Sequence, residues 1–184
     1  IEVDGTFDDC QALVKQTFIN KELNQHMRLT SANSINVARF LPQSFYYFWA
    51  VAQMANAQWS QFDADGAVFN DIVISVPSGN FGNLTAGLFA KQMGLPVKRF
   101  IAANNRNDVF YRYLKSGKYA PLPTIATLAN AMDVSDPSNY VRLKELYRTH
   151  ESVKRDISGA TYTDEQIAET IQQCYKEYHY LQIG

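Results

Sequence analysis

The sequence predicts an α/β fold: an open, mainly parallel twisted sheet flanked by helices. Three observations lead there. DIVISVP is a short continuous run of β-branched residues, the pattern of a strand covered on both faces, and VKRFIAAN is a second such run. Between them lie a glycine turn and GNLTAGLFAKQMG, a helical stretch closed by Gly94. Strand, helix, strand in this order is a βαβ unit, which requires parallel pairing.

The remaining elements follow in chain order. IEVDG reads as a short strand, and TFDDCQALVKQTF as a helix with Thr6 and Asp9 in a capping box. Cys10, Leu13, Val14, Thr17 and Phe18 share one face of it. MRLTSA reads as a brief strand before the polar turn NSIN. FLPQSFYYFWAVAQMANAQ is apolar almost all round, so a central buried helix is expected, with Pro42 in its first turn where a missing N–H is harmless. Asn104 to Val134 gives little pattern beyond a short helix around DVFYRYLK. In DPSNYVRLKELYRTH, Asp136 is the expected N-cap and Pro137 the first helical residue. TDEQIAETIQQCYKEYHYLQ is a helix with Ile167, Ile171, Cys174, Tyr175 and Tyr178 as its inner stripe and Gly184 near its C-cap.

Composition narrows function. The 184 residues carry 17 Lys+Arg against 18 Asp+Glu, a formal charge of −1, with no basic excess for a nucleic-acid backbone. Gln43, Ser44, Gln53 and Asn56 interrupt the most apolar stretch, so no membrane span is expected. Charged residues are 19%, under the roughly 25% usual for soluble domains. With 11 Phe, 11 Tyr and 2 Trp, that composition suggests surface made for other protein. Cys10 and Cys174 lack disulfide-framework or zinc spacing, and a reducing compartment is expected. His26, His150 and His179 have no metal-ligand spacing, so no metal is expected; Ser78 has no nucleophile elbow around it.

The chemical signal is SVPSGNFGNLTAG. Gly79 and Gly82 bracket a turn between a strand's carboxyl end and a helix start, where main-chain N–H groups lack intrahelical partners and face an oxyanion with the helix dipole behind them. A Walker loop is excluded, because Asn83 and Leu84 follow Gly82 and Lys91 lies nine residues on, roughly 13 Å along the helix. The dinucleotide pattern G-x-G-x-x-G is absent as well. A small phosphorylated ligand held by main-chain amides is what remains.

PSGNFGN, together with NSINVAR upstream and ANAMDVSDPSN downstream, resembles the threonine synthase family, within the tryptophan-synthase-β-like (fold type II) group of pyridoxal-phosphate enzymes. The resemblance runs from DGTFDDCQ to about YVRLKELY. It implies that Gly79, Asn80, Phe81, Gly82 and Asn83 hold the phosphate of pyridoxal 5'-phosphate, and that Asn33, Ser34 and Arg39 grip the phosphate of O-phosphohomoserine. Without it, Asn33 and Ser34 read as ordinary helix caps. It further implies conversion of that substrate and water to threonine and phosphate in the cytoplasm. Residues 1–30 would end a small-domain portion, and residues 31–184 would be part of the cofactor-binding large domain.

In the family the Schiff-base lysine precedes the point matching Ile1, and none of the nine lysines here lies in its motif; the catalytic lysine is therefore expected outside this chain, leaving an inactive piece that self-associates through apolar surface. Two other readings stand beside this one: another fold type II lyase acting on a phosphorylated amino acid, and a non-catalytic phosphate-binding or interaction protein of the same fold. Asn104, Asn107 and Asp108 read as an Asn-rich turn rather than a substrate border, and Asn130 and Asp133 as structural.

Overall fold

The computed structural model describes residues 2–58 and 71–180. Its centre is a three-stranded parallel sheet in the order β1 (Val73–Pro77), β2 (Arg99–Asn104), β3 (Ile157–Thr161). Val73 pairs with Arg99 and Phe100 with Ile157, so the expected parallel βαβ pairing is present and a third strand extends it.

Helices α1 (Phe7–Ile19), α2 (Lys21–His26), α3 (Val37–Phe40) and α4 (Ser44–Gln58) precede the sheet. A 3₁₀ turn over Leu41–Gln43, with Pro42 in it, joins α3 to α4. The crossover is α5 (Gly82–Gln92), and α6 (Val109–Ser116) leads away from β2. After it come α7 (Tyr140–Tyr147), α8 (His150–Asp156), β3 and α9 (Asp164–Tyr178).

The core lies where α5 meets β2. Leu84, Leu88, Phe100, Phe110, Leu143 and Val153 are fully buried or nearly so. Each such side chain contributes roughly 1.5–3 kcal/mol relative to exposure. Gly87 allows the close approach: a Cβ there would stand 2.7 Å from Phe100 Cε1 and Tyr47 Cζ. These two rings meet edge to face, 5.6 Å apart.

Several expectations need correction. Residues 2–6 and 27–31 form no strand, and Ile1 lies outside the described residues. Thr6 does cap α1 in a capping box with Asp9, but Gln11 is the buried residue of that helix, and Leu13 and Val14 stay exposed. α4 is not buried all round: Tyr47 and Val51 face the core while Phe45, Tyr46 and Trp49 are each about two-thirds exposed.

β1 is covered on one face only: Val73, Ser75 and Pro77, which alternate along the strand and so share a face, are exposed, and β1 is also an edge of the described sheet. α7 starts later than its proline suggested, with Asn139 at the N-cap, because the chain from Asp136 to Ser138 is held in a turn against Asn80. α9 buries no residue fully, Ile171, Tyr175 and Tyr178 are exposed, and its C-cap is His179; Gly184 lies outside the described residues.

Candidate functional site

β1 ends in a clamp. Ser78 N–H donates to the Ala103 carbonyl at 2.8 Å, the Ser78 hydroxyl to the Val76 carbonyl at 2.7 Å, and Asn104 Nδ2 to the Ser78 carbonyl at 2.8 Å. Ser78 is thereby a buried strand terminator, and Asn104 is its partner. The chain then turns through Gly79 and Asn80 and enters α5 at Phe81, a left-handed N-cap (φ 60°, ψ 14°) with no side-chain cap bond. For an aromatic residue that conformation costs roughly 1–2 kcal/mol. Burial offsets it, since Phe81 is 3% exposed with its ring 4.8 Å from Phe110. Among the described residues, no main-chain N–H from Gly79 to Leu84 donates to a protein acceptor. Uncommitted donors at the positive end of a helix are what a phosphate requires.

The two glycines also serve the protein. A Cβ on Gly79 would lie 2.8 Å from Met132 Cα, and one on Gly82 would lie 2.9 Å from Ser34 Cβ. Close approach of protein chain is therefore sufficient reason for glycine at both places, a cause that spacing along the sequence does not reveal.

Around the turn, distant segments converge. Asn80 Nδ2 faces Ser34 Oγ at 3.2 Å and Asn33 Oδ1 at 3.4 Å. Asn80 Oδ1 accepts from both the N–H and the hydroxyl of Ser138. Asn139 Nδ2 donates to Ser34 Oγ at 3.0 Å and to the Asn80 carbonyl at 2.8 Å. Asn83 accepts the Tyr47 hydroxyl on its carbonyl at 3.0 Å and on its side chain. Burial raises the Tyr47 pKa, so Tyr47 remains a neutral donor.

Asn33 and Ser34 thus sit beside the glycine turn. They do not cap α3; Asn36 does, through Ala38 N–H. Arg39 is exposed, and its Nε donates to the Ala32 carbonyl at 2.9 Å, anchoring it to the segment that carries Asn33.

Arg142 escaped the sequence reading. Its guanidinium donates to the Ser34 carbonyl at 2.9 Å, to the Ile35 carbonyl and to Asn139 Oδ1, and lies 4.8 Å from the centre of the Phe40 ring. Burial lowers its pKa, yet a guanidinium stays charged. The one hint was its place three residues after Asn139 on a single helix face.

The Asn-rich region is tied into the fold by side-chain hydrogen bonds. Asp133 accepts from Asn105, Asn107 and twice from Thr127, while Asp108 pairs with Arg112 at 2.8 Å. Lys91, near the far end of α5, is taken by Asp156 and by the Val97 and Lys98 carbonyls.

A parallel sheet with an uncapped helix start after its strand, and an Asn/Ser cluster beside it, has the architecture of fold type II pyridoxal-phosphate enzymes. No protein-family model matches the chain. Among solved structures it is similar to threonine synthase from Escherichia coli, with a TM-score of 0.86 and 48% identity over 99% of this chain and 40% of that one. A structure of pyridoxal-phosphate-bound threonine synthase from Brucella melitensis gives a TM-score of 0.80 and 32% identity, covering 97% of this chain and 41% of that one. Among curated proteins, the threonine synthase of Serratia marcescens is 50% identical over 173 residues, 94% of this chain and 38% of that protein. In sequence and in fold, these residues correspond to a portion of the threonine synthases. The chain spans about two-fifths of the length of these relatives.

Proposed function

We propose that these residues form the central portion of a threonine synthase, which converts O-phosphohomoserine and water to threonine and phosphate. In this reading the main chain of Gly79, Asn80, Phe81, Gly82 and Asn83 seats the phosphate of pyridoxal 5'-phosphate. The observation carrying it is the row of unpartnered N–H groups from Gly79 to Leu84. When bound, the cofactor supplies the electron sink for carbanion chemistry on the substrate. This chain's part is to hold and orient.

The α5 dipole favours a dianion by about 0.3–1 kcal/mol, more where partly buried. Asn80 stiffens the turn through Ser138, so its donors are arranged before the ligand arrives. Asn33, Ser34 and Arg39 would take the substrate's phosphate. Arg39 commits only its Nε to protein in the described structure, which leaves the fork of its outer nitrogens for two phosphate oxygens. Lys91 is held by Asp156 and two main-chain carbonyls, and the reading assigns the Schiff-base lysine to the N-terminal part of the enzyme.

The same proposal assigns residues 1–30 to the end of a small-domain portion and its connection, and residues 31–184 to part of the large domain. It gives the enzyme a cytoplasmic location. The isolated piece is inactive and self-associates through the exposed aromatics of α4 and the open β1 edge. Sedimentation showing a stable monomer at high concentration counts against that part.

The test is made on the full-length enzyme loaded with cofactor: threonine and phosphate should form in equal amounts from O-phosphohomoserine. Arg39→Ala should impair this reaction far more than any turnover of an unphosphorylated amino acid. A cofactor-loaded enzyme that releases no phosphate sinks the proposal.

A further inference from the structure

The hydrogen bonds that meet at Ser34 have a fixed sense. A main-chain N–H can only donate, a main-chain carbonyl can only accept, and a guanidinium has no acceptor. Ser138 N–H donates to Asn80 Oδ1 at 2.7 Å, which orients that carboxamide and sends its Nδ2 to Ser34 Oγ at 3.2 Å. The carboxamide of Asn139, a wholly buried residue, is oriented from both ends. Its Oδ1 accepts from the Arg142 guanidinium, and its Nδ2 donates to the Asn80 carbonyl at 2.8 Å and to Ser34 Oγ at 3.0 Å.

Ser34 Oγ thus accepts from two asparagines, which fills both lone pairs of a hydroxyl oxygen. Its own proton must point elsewhere. Asn33 Oδ1, at 3.2 Å, receives it, yet that atom also takes the Ile35 N–H at 3.3 Å and Asn80 Nδ2 at 3.4 Å. Three donors on one carbonyl oxygen are one more than its lone pairs, so the Ser34 proton is free to turn to a stronger, ionised acceptor. Ser34 is half-buried, which leaves such an acceptor a way in.

Arg142 anchors the arrangement. It reaches the Ser34 carbonyl at 2.9 Å and Asn139 Oδ1 through Nη1, and the Ile35 carbonyl through Nη2. One rigid fork therefore sets both the main chain that carries Ser34 and the amide that faces its hydroxyl. Among the described residues Arg142 makes no ion pair, so its donors go to these three oxygens.

We propose that Arg142 is a positioning residue for the phosphorylated substrate: acting through Asn139, it fixes Ser34 as a hydroxyl that accepts from the protein and donates its proton to a phosphate oxygen. This rests on reading Ser34 as a substrate residue, and it adds α7 to the elements that shape the phosphate site.

The experiment uses full-length, cofactor-loaded enzyme and two probes, O-phosphohomoserine and inorganic phosphate. Ser34→Ala removes the donor and should raise KM and the phosphate dissociation constant about tenfold, as for one lost charge-assisted hydrogen bond. Arg142→Lys keeps the charge without the fork and should raise both about fivefold. The two effects should not multiply. In a Ser34→Ala background, Arg142→Lys should add less than about twofold, because its action on the substrate passes through that hydroxyl. A purely structural arginine would give the same factor in both backgrounds. Asn139→Asp is a second route to the same comparison, needed if Arg142→Lys does not fold. Its carboxylate still accepts from Arg142 but takes the Ser34 proton, so phosphate binding should weaken clearly in the parent and much less after Ser34→Ala. Its other effects, on the Asn80 carbonyl and on local charge, are common to both backgrounds and cancel. Equal factors in both backgrounds, or unchanged KM and phosphate affinity, overturn the proposal, and turnover by the parent enzyme then leaves the threonine synthase reading intact. Coupled losses of phosphate binding in an enzyme that forms no threonine sink that reading and leave the role of Arg142 standing.

Discussion

The side-chain carbonyl of Asn80 accepts both the main-chain N–H and the hydroxyl of Ser138, at 2.7 and 2.8 Å, joining two segments 58 residues apart in the chain. The phosphate-seating turn is thus braced by the start of the region before α7. Asn80→Ala removes both acceptances and leaves the Ser138 N–H without its partner. The expected loss is about 1–3 kcal/mol of stability, measured by urea denaturation, with weaker cofactor binding. Asn80→Asp separates the two roles. Its carboxylate still accepts from Ser138, so stability should fall less. Its added charge stands beside Asn33 Oδ1 and on the turn that seats the phosphate, and cofactor affinity should drop by roughly tenfold or more in a fluorescence titration.

At the glycines, the identity of the neighbouring atom decides the outcome. Gly79→Ala would bring a methyl to within 2.8 Å of Met132 Cα, main chain that cannot swing aside. Overpacking of this kind costs about 1–3 kcal/mol, and here it would displace the phosphate-seating turn. Gly159→Ala is the contrast: its methyl would meet the Leu114 Cδ1 tip at 2.9 Å, a flexible end that can rotate. Melting curves should show a clear drop for the first and about 1 kcal/mol or less for the second, with cofactor affinity reduced only in the first.

How much of this was legible beforehand depended on whether the signal was local. The βαβ unit was legible because DIVISVP and VKRFIAAN are uninterrupted β-branched runs, and the Thr6–Asp9 cap because its partners are three residues apart. β3 was not. It follows α8 without a linker, and Gly159 sits in it only because Leu114 and Tyr111 of α6 press against that point. The exposure of α4 was also hidden, since an apolar sequence does not say which of its faces finds a partner within the chain. In the site, the glycine turn could be read from spacing. Arg142 could not, because its acceptors Ser34 and Ile35 lie more than 100 residues away.

Asp133 holds the loop that the sequence left unreadable. Its two oxygens accept from Thr127 N–H at 2.9 Å, the Thr127 hydroxyl at 2.8 Å, Asn105 at 2.8 Å and Asn107 at 3.0 Å. Four donors converge on one carboxylate, so a change to amide is not conservative: the NH₂ of Asp133→Asn must face a donor. A stability loss of about 1–3 kcal/mol is expected for Asp133→Asn, and at least that for Asp133→Ala. Urea denaturation measures both. A variant as stable as the parent would show that water replaces the carboxylate without cost.

Alkaline pH should unfold the protein through buried phenols. Burial raises the pKa of Tyr47, Tyr119, Tyr140 and Tyr147; Asp136 adds to the effect at Tyr119, Tyr113 at Tyr140 and Asp156 at Tyr147. Unfolded tyrosines titrate near about 10, so each of these four ionises at higher pH in the folded chain than in the unfolded one. Their contribution to stability is complete below that value and is lost as pH climbs toward the folded values. Tyrosinate absorbance should therefore show these four of the 11 tyrosines ionising together with the loss of circular dichroism above about pH 10, rather than before it. Tyr147→Phe keeps the ring, removes the hydroxyl that donates to Asp156 at 2.9 Å, and should move the alkaline transition to higher pH while lowering stability at neutral pH. Smooth ionisation of all 11 tyrosines before any loss of structure would mean that these phenols are open to solvent.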